Sequence, residues 1–355
     1  MKNFWKNKKV LITGHTGFKG SWMTLILNML GAKLYGYALD PITKPNFFDG
    51  LELNKFLVKD FRKDITNKKE FNKVIKKIRP SIIFHLAAQS SVLKSYKESE
   101  KTFLTNVVGT INLLEILRKV KSVKSAIIVT TDKVYLNQEK KKKFKESDHL
   151  GGYDIYSGSK ASCEVLTNSY INSFFKNSNC KIATARSGNC IGGGDWTKDR
   201  IIKDCAEAFI FNKDIIIRSP KASRPWQHVI EPIFGYLKLA EKLFKSKNYV
   251  GSWNFGPNLK NNLKVIDVAY HGKKLLKSNS KIKIKKKKYY ESEHLSLDIS
   301  KSKKILKWKT ILSSKLALKL TFEWYKLFYE NKDKKKLIDF SFKQIKYYKK
   351  RLSRL

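Results

Sequence analysis

Short apolar stretches alternate with longer segments of helical periodicity through the first 190 residues. The apolar stretches are rich in β-branched residues, which is typical of buried parallel strands. The alternation predicts an α/β fold, a Rossmann-like doubly wound parallel sheet with helices on both faces. The predicted strands are residues 9–13, 34–38, 56–58, 81–85, 126–131 and 181–186, and the predicted helices are residues 17–30, 68–78, 101–119 and 153–175.

The pattern loosens after residue 190, where a glycine-rich turn begins. We expect a smaller mixed lobe over residues 191–330 that binds the substrate, with some strands returning to the domain formed by residues 1–190. Residues 331–355 are predicted to be a basic tail, either helical or frayed. The elements predicted in the second half are helices at 201–211 and 313–329 and a strand at 214–218.

Composition indicates a globular chain, since 42% of the 355 residues are hydrophobic. No apolar run reaches the roughly 18 residues that a membrane-spanning helix needs. Residues 1–9 are basic and lead directly into the first strand, without the apolar stretch of a signal peptide. We therefore expect a cytoplasmic protein.

Neither cysteine spacing nor charge indicates a metal or a nucleic-acid partner. The four cysteines, Cys163, Cys180, Cys190 and Cys205, show no C-x-x-C spacing, so we expect reduced thiols and no metal. The net charge of +44 is compatible with a nucleic acid, an anionic small substrate or a bias toward lysine. Because no regular basic-aromatic motif accompanies the lysine runs, we favour lysine as surface filler and no specific nucleic acid.

A glycine-rich segment follows the first predicted strand. Gly14, Gly17 and Gly20 are three residues apart, with Thr16 and Phe18 between them. Glycines at a strand-to-helix junction let the backbone approach a pyrophosphate, and the helix N-terminus supplies amide donors. The segment predicts a dinucleotide site, the alternative being a merely tight turn.

Two further segments fall at strand ends beside this predicted site. Asp40 follows the second strand, where a carboxylate accepts ribose hydroxyls, and no arginine is near it in the sequence, which favours NAD over NADP. The alternative is that Asp40 only caps a turn. Leu86, Ala87 and Ala88 end the fourth strand with small residues after His85, which we interpret as structural.

The most specific chemistry lies around residues 130–160. Thr131, Asp132 and Lys133 end an apolar run, and Tyr156 and Lys160 follow with the spacing of one helical turn. Lowering a phenol pKa from about 10 to about 7 needs roughly 4 kcal/mol, which an adjacent ammonium and a cationic cofactor can supply. An ordinary amphipathic helix is the alternative.

Together these motifs resemble the extended short-chain dehydrogenase/reductase family over about residues 8–310. Within it, several segments resemble the nucleotide-sugar 4,6-dehydratases, and their CDP-glucose branch in particular. Those segments are residues 13–22, 130–135, 185–196 and 224–229.

The resemblance implies NAD as the cofactor, with Asp64 and Ile65 contacting adenine and Asn106 beside the cofactor. Asp64 as a helix cap and Asn106 as a structural contact are the alternatives. The resemblance also implies a homodimer built through helices at residues 101–119 and 153–175, and a place in deoxysugar biosynthesis such as that of O-antigen.

The implied reaction is oxidation at C4 of the sugar, elimination of water across C5 and C6, and return of hydride to C6. Tyr156, held by Lys160, removes the C4 hydroxyl proton and Thr131 bonds the same oxygen. Related dTDP-glucose enzymes carry Asp-Glu after the threonine, whereas this chain carries Asp132 and Lys133. We expect Asp132 as the acid at C6 and Lys133 as the C5 base or enolate stabiliser, with the reverse assignment open.

Substrate contacts are predicted at Gln89, Asn189, Arg224 and His228, with Arg224 gripping the pyrophosphate. His228 can equally be a packing residue. Two alternative functions remain open: another nucleotide-sugar dehydratase, epimerase or decarboxylase, and a nonenzymatic Rossmann protein.

Overall fold

The computed structural model describes residues 2–137, 142–198, 200–257, 263–285, 295–331 and 333–354, with only the backbone described at Lys2 and Arg224. The strands are β1 (Lys9–Thr13), β2 (Lys33–Ala38), β3 (Lys59–Arg62), β4 (Ile82–His85), β5 (Ser125–Val129), β6 (Lys143–Phe144), β7 (Lys181–Ser187), β8 (Cys190–Ile191), β9 (Ile215–Ile217), β10 (Ser223–Arg224), β11 (Gln227–His228), β12 (Gly251–Phe255), β13 (Leu263–Lys264), β14 (Ile282–Ile284) and β15 (Ser296–Leu297).

The α-helices are α1 (Lys2–Trp5), α2 (Phe18–Met29), α3 (Phe47–Gly50), α4 (Lys68–Ile78), α5 (Val92–Lys97), α6 (Ser99–Phe103), α7 (Gly109–Lys119), α8 (Ile155–Tyr170), α9 (Ile201–Ile210), α10 (Ile230–Lys245), α11 (Val265–Leu275), α12 (Ser300–Lys304), α13 (Ser314–Asn331) and α14 (Lys334–Leu352). Two π-helical turns, Leu104–Val108 and Ile171–Phe175, continue α6 and α8.

Seven strands form the central sheet in the order β12-β7-β5-β4-β1-β2-β3. All neighbouring strands in it are parallel. The strand order reverses between β1 and β4, and a crevice opens at the carboxyl ends of the strands at such a reversal. The predicted Rossmann-like fold is therefore confirmed, and its switch point lies beside the glycine-rich segment.

Helices cover both faces of the sheet because successive strand residues point to opposite sides. Leu11 and Ile83 face a core shared with α4 and α7. Val10 and Phe84 face a larger core shared with α2 and α10. The continuous apolar runs of β1 and β4 are thus explained by burial on both faces.

The strand predicted at residues 56–58 is wrong. Residues Leu53–Phe56 form a 3₁₀ turn, and β3 begins only at Lys59. Because β3 is the edge strand and pairs with β2 alone, charged residues are tolerated in it and leave no apolar signal.

Beyond β7 the chain builds short strand pairs, namely β8 with β11, β9 with β14, and β10 with β13. The predicted elements at 201–211, 214–218 and 313–329 are observed as α9, β9 and α13. Residues 334–352 of the basic tail form the helix α14, which packs on α13 and buries Leu337 and Ile345. Among the described residues, no helix has the length and apolar character to cross a membrane.

Candidate active site

A cleft of about 1260 Å³ opens at the carboxyl ends of the sheet strands, facing the lobe formed by α9 and β9. This volume exceeds that of a site for one drug-sized ligand, so a cofactor and a substrate can occupy it together. Most of the predicted functional residues line it: Gly14, Thr16, Gly17, Phe18, Gly20, Asp40, Asp64, Ile65, Leu86, Ala87, Ala88, Thr131, Asp132, Lys133, Tyr156, Lys160 and Asn189.

The glycine-rich loop forms one wall of the cleft. Gly14 has a φ of +72°, and a Cβ there would lie 2.6 Å from the Ala87 backbone nitrogen. A Cβ on Gly20 would collide with the Gly14 carbonyl oxygen and lie 2.6 Å from the His15 Cα. Only glycine lets this loop fold tightly before α2, whose first amides are then available to an anion.

A buried polar chain joins this loop to the end of β4. The Thr13 hydroxyl lies 2.9 Å from His85 Nδ1 and accepts a hydrogen bond from the Ala87 backbone nitrogen at 3.2 Å. Burial, with a smaller contribution from the Lys160 charge, lowers the pKa of His85 to about 3. His85 is therefore a neutral hydrogen-bonding residue that aligns β1 and β4.

The fold brings an arginine to Asp40, contrary to the expectation from its sequence neighbours. Arg62 Nη1 lies 3.0 Å from Asp40 Oδ1 because β3 pairs with β2 and sets Arg62 opposite Ala38. The same guanidinium also pairs with Asp60 at 2.9 Å. The sequence prediction did not find this arginine because it placed the third strand at residues 56–58. A strand at residues 59–62, paired with β2, places Arg62 beside the end of β2.

Asn106 and Gln89 lie behind the cleft wall rather than in it. The Asn106 carboxamide bonds both the backbone nitrogen and the carbonyl oxygen of Gln89, at 2.8 and 3.1 Å. The Gln89 side chain is engaged by Ser91 and by Thr102. The Gln89 carboxamide therefore holds the loop after β4 and lies outside the cleft lining, which does not favour a direct substrate contact.

The pair Tyr156 and Lys160 lies in the first turns of α8. Asp154 caps this helix by accepting from the Ser157 backbone nitrogen at 3.0 Å, which fixes where α8 begins. Both side chains are buried, and Lys160 Nζ donates to the Val129 carbonyl oxygen at 3.1 Å. The end of β5 and the start of α8 therefore meet at this pair.

Thr131, Asp132 and Lys133 form the turn that follows β5, and all three line the cleft with Tyr156. The Thr131 hydroxyl donates to Asp132 Oδ1 at 3.0 Å. A Cβ on Gly188 would lie 2.9 Å from Asp132 Oδ2, so the glycine after Ser187 makes room for this carboxylate. A carboxylate and an ammonium thus line the same cleft as the Tyr156 phenol.

Several charges act on the Tyr156 hydroxyl. Burial raises the pKa of Tyr156, and the charge of Asp132 raises it further. Lys19, the Thr131 hydroxyl and Arg200 lower it. Burial prevails, so the pKa stays above its usual value. Burial also lowers the pKa of Lys160. Tyr156 therefore needs further positive charge in the cleft to act as a base near neutrality.

Sequence reasoning missed several cations that line this cleft, among them Lys19 and Arg200. Lys19 is the one charged residue in the sequence of helix α2, and a single charge in such an apolar helix could have identified it as a functional candidate. Arg200 immediately precedes α9 and carried no comparable signal.

The remaining predicted substrate residues divide. Asn189 lines the cleft. The Arg224 side chain is outside the described residues, and its backbone pairs with Leu263 in β10. His228 is fully buried, lies edge-on against Trp22 and does not line the cleft, so its position favours the alternative of a packing residue. Within the described ranges, no cluster of three or more His, Cys, Asp or Glu side chains could hold a metal ion.

The fold and cleft define a Rossmann-type enzyme of the short-chain dehydrogenase/reductase class, with a tyrosine and a lysine at its centre. The family described as GDP-mannose 4,6 dehydratase matches residues 11–320, and the chain belongs to it.

Relatives agree with this placement. A CDP-glucose 4,6-dehydratase of Salmonella typhimurium is 38% identical over 339 residues, which cover 94% of each chain. A human dTDP-D-glucose 4,6-dehydratase is 26% identical over 91% of each chain.

Solved structures share the fold. A UDP-glucose 4-epimerase of Thermotoga maritima, solved with UDP-glucose, superimposes with a TM-score of 0.81 at 22% identity, over 91% of this chain and all of that one. A dTDP-glucose 4,6-dehydratase of Bacillus anthracis in complex with NAD gives 0.77 at 20% identity, over 93% and 99%.

Proposed function

We propose that the protein catalyses the NAD-dependent dehydration of CDP-glucose to CDP-4-keto-6-deoxyglucose. The observation that carries the proposal is that Tyr156 and Lys160 converge with Asp132 and Lys133 in one cleft that also contains the glycine-rich loop. The 38% identity to the Salmonella CDP-glucose enzyme supports the choice of nucleotide.

The loop between β1 and α2 would hold the cofactor pyrophosphate, and its fit is supported by the close approach of Gly14 to Ala87. Asp40 would accept the adenosine ribose hydroxyls, and Asp64 with Ile65 would border the adenine. Bound NAD supplies the hydride acceptor for C4, the hydride returned to C6, and positive charge beside Tyr156. We further propose that residues 1–190 hold this cofactor and residues 191–330 mainly bind the sugar nucleotide.

Tyr156 would accept the proton of the C4 hydroxyl while hydride leaves C4. Thr131 would hydrogen-bond the same oxygen, since its hydroxyl already forms a hydrogen bond that lowers the pKa of Tyr156. The buried ammonium of Lys160 would bind the nicotinamide ribose of the cofactor. These roles follow the geometry of an activated hydroxyl flanked by a donor and a cation.

The ketone at C4 makes the C5 proton acidic, so that a base can remove it while an acid protonates the departing C6 hydroxyl. Asp132 as the acid and Lys133 as the base or enolate stabiliser is our assignment, and the reverse assignment stays open. A lysine accepts a proton only when neutral, and its ordinary pKa is about 10.4.

Asn189, Arg200 and Arg218 all line the cleft, and the diphosphate would lie near these side chains. Guanidinium groups suit this anion because they bind phosphate oxygens bidentately. That Arg224 binds the same diphosphate stays a prediction from the sequence.

The experiment is incubation of the protein and NAD with CDP-, dTDP-, UDP- and GDP-glucose, followed by detection of 4-keto-6-deoxy products. We expect product from CDP-glucose. A product from dTDP-glucose alone would contradict the substrate, and no product from any of the four would favour a nonenzymatic Rossmann protein.

We also propose a homodimer formed through the helices around α6 and α8. Four large apolar side chains are exposed there: Phe103 at 38%, Leu104 at 44%, Val165 at 54% and Phe174 at 47%. An exposed apolar patch on neighbouring helices is typical of a protein interface. Light scattering should give a dimer for the wild type and a monomer for Val165→Glu, and a wild-type monomer would contradict the proposal.

A further inference from the structure

The ammonium of Lys19 is fixed inside the catalytic cleft. Its Nζ donates a hydrogen bond to Ser187 Oγ at 2.7 Å, at the end of β7. Among the described residues it forms no ion pair with a carboxylate. Lys19 is partly buried, and its charge lies in the cleft without direct contact to a carboxylate of the described residues, where it can act on the groups around it.

Two groups of the proposed reaction centre, Tyr156 and Asp132, are among those that interact electrostatically with Lys19. Burial tends to lower the pKa of Lys19, but Cys190, Tyr236, Tyr156 and Asp132 raise it and prevail. Lys19 therefore stays charged throughout the working pH range. Asp132 lies against Gly188, the residue after the serine that anchors Lys19.

The Tyr156 hydroxyl gains more from Lys19 than from its other favourable neighbours. Burial raises the pKa of Tyr156, Lys19 lowers it most, Thr131 and Arg200 lower it less, and Asp132 raises it. Lys160 Nζ is directed to the Val129 carbonyl oxygen. The cation at the start of α2 thus complements the one in α8.

We propose that Lys19 is a second fixed cation of this centre, a positioning residue that stabilises the ionised Tyr156 side chain and is held in place by Ser187. The inference rests on the proposed function in so far as Tyr156 is the base for C4 oxidation.

The test is an ultraviolet titration of tyrosinate in the NAD-saturated enzyme, with the Tyr156→Phe signal subtracted so that Tyr156 alone is read. We expect Lys19→Met to move the Tyr156 midpoint upward by about 1–2 pH units, the usual effect of removing an adjacent opposite charge. The rising limb of the pH dependence of kcat/KM should move by the same amount. Lys19→Arg keeps the positive charge, so its Tyr156 midpoint should return most of the way to the wild-type value.

Lys238→Met is the matched control, since it removes a half-buried lysine of α10 that bonds the Lys307 carbonyl oxygen outside the cleft. It should leave the midpoint unchanged. A midpoint in Lys19→Met equal to that of the wild type would overturn the proposal. If Lys19→Met does not fold, Ser187→Ala decides, because releasing the ammonium should raise the midpoint and an unchanged midpoint overturns the proposal.

Failure of the proposed function gives a different result. In that case the wild type turns over none of the nucleotide sugars, while the tyrosinate titration still reports the effect of Lys19.

Discussion

At the proposed cofactor end of the cleft the wall is backbone and small side chains, such as Gly14 and Ala87, from the loops after β1 and β4. Long charged side chains, such as Lys19, Lys133 and Arg200, also line the cleft from separate elements, and we assign them to the proposed sugar end. Steric room therefore governs the first end, and fixed charges govern the second. Substitutions should accordingly impair binding at one end and proton transfer at the other.

The largest effect is expected at the sugar end from Tyr156→Phe. Removing the hydroxyl removes the proton acceptor, so kcat should fall by about 10²–10⁴-fold, the range typical of a lost general base. NAD binding, followed by quenching of tryptophan fluorescence, should stay within a few-fold of the wild type. A Phe variant that retains most of its turnover would contradict the division between the two ends.

Lys133→Ala should reduce turnover by about 100-fold, again the scale of one general acid–base group. The informative measurement is solvent deuterium exchange at C5, which should be lost while reduction of the nicotinamide persists. Asp132→Asn is the matched comparison, since it should slow loss of the C6 hydroxyl instead. If Lys133→Ala keeps both wild-type turnover and C5 exchange, Lys133 has no role at C5.

Gly20→Ala tests the cofactor end. The added methyl group would collide with the Gly14 carbonyl oxygen, so the loop must shift at a cost of about 1–3 kcal/mol in the free energy of unfolding, and NAD should bind at least about tenfold more weakly. Gly50→Ala is the control, because a Cβ there meets nothing within 4 Å. Urea unfolding and NAD titration measure both, and wild-type affinity in Gly20→Ala would contradict a steric cradle.

The smallest effect is expected from Asp40→Ala. Asp40 is 85% exposed in its ion pair with Arg62, so its loss should change stability by no more than about 1 kcal/mol. NAD affinity should fall and NADP affinity should rise, because the released guanidinium can meet a 2′-phosphate. Asp40→Ala combined with Arg62→Ala should lose the gain for NADP. If Asp40→Ala has the same relative affinity for NAD and NADP as the wild type, Asp40 does not determine the choice of cofactor.

The same comparison explains what the sequence could predict. The glycine spacing and the apolar strands are local in the chain, so the Rossmann-like fold and the convergence of Gly14, Tyr156 and Lys160 on one cleft were accessible. Arg62 was not, because its proximity to Asp40 depends on the register of an edge strand with little apolar character.

Charged residues at the sugar end come from distant elements, and their side-chain directions depend on packing. His228 and Gln89 have residue types suited to a sugar, but the first packs on Trp22 and the second holds its own loop. Lys19 is the opposite case, since it lies within the glycine-rich segment yet points to the end of β7.

The most direct test of the proposed reaction follows a label through one turnover. CDP-glucose carrying deuterium at C4 is incubated with the enzyme and NAD, and the product is examined by NMR. The proposed mechanism predicts deuterium at C6 of the 4-keto-6-deoxy product, because hydride removed from C4 is returned within the same cleft. Deuterium retained at C4, or a 4-keto-6-deoxy product with no deuterium at C6, would contradict it.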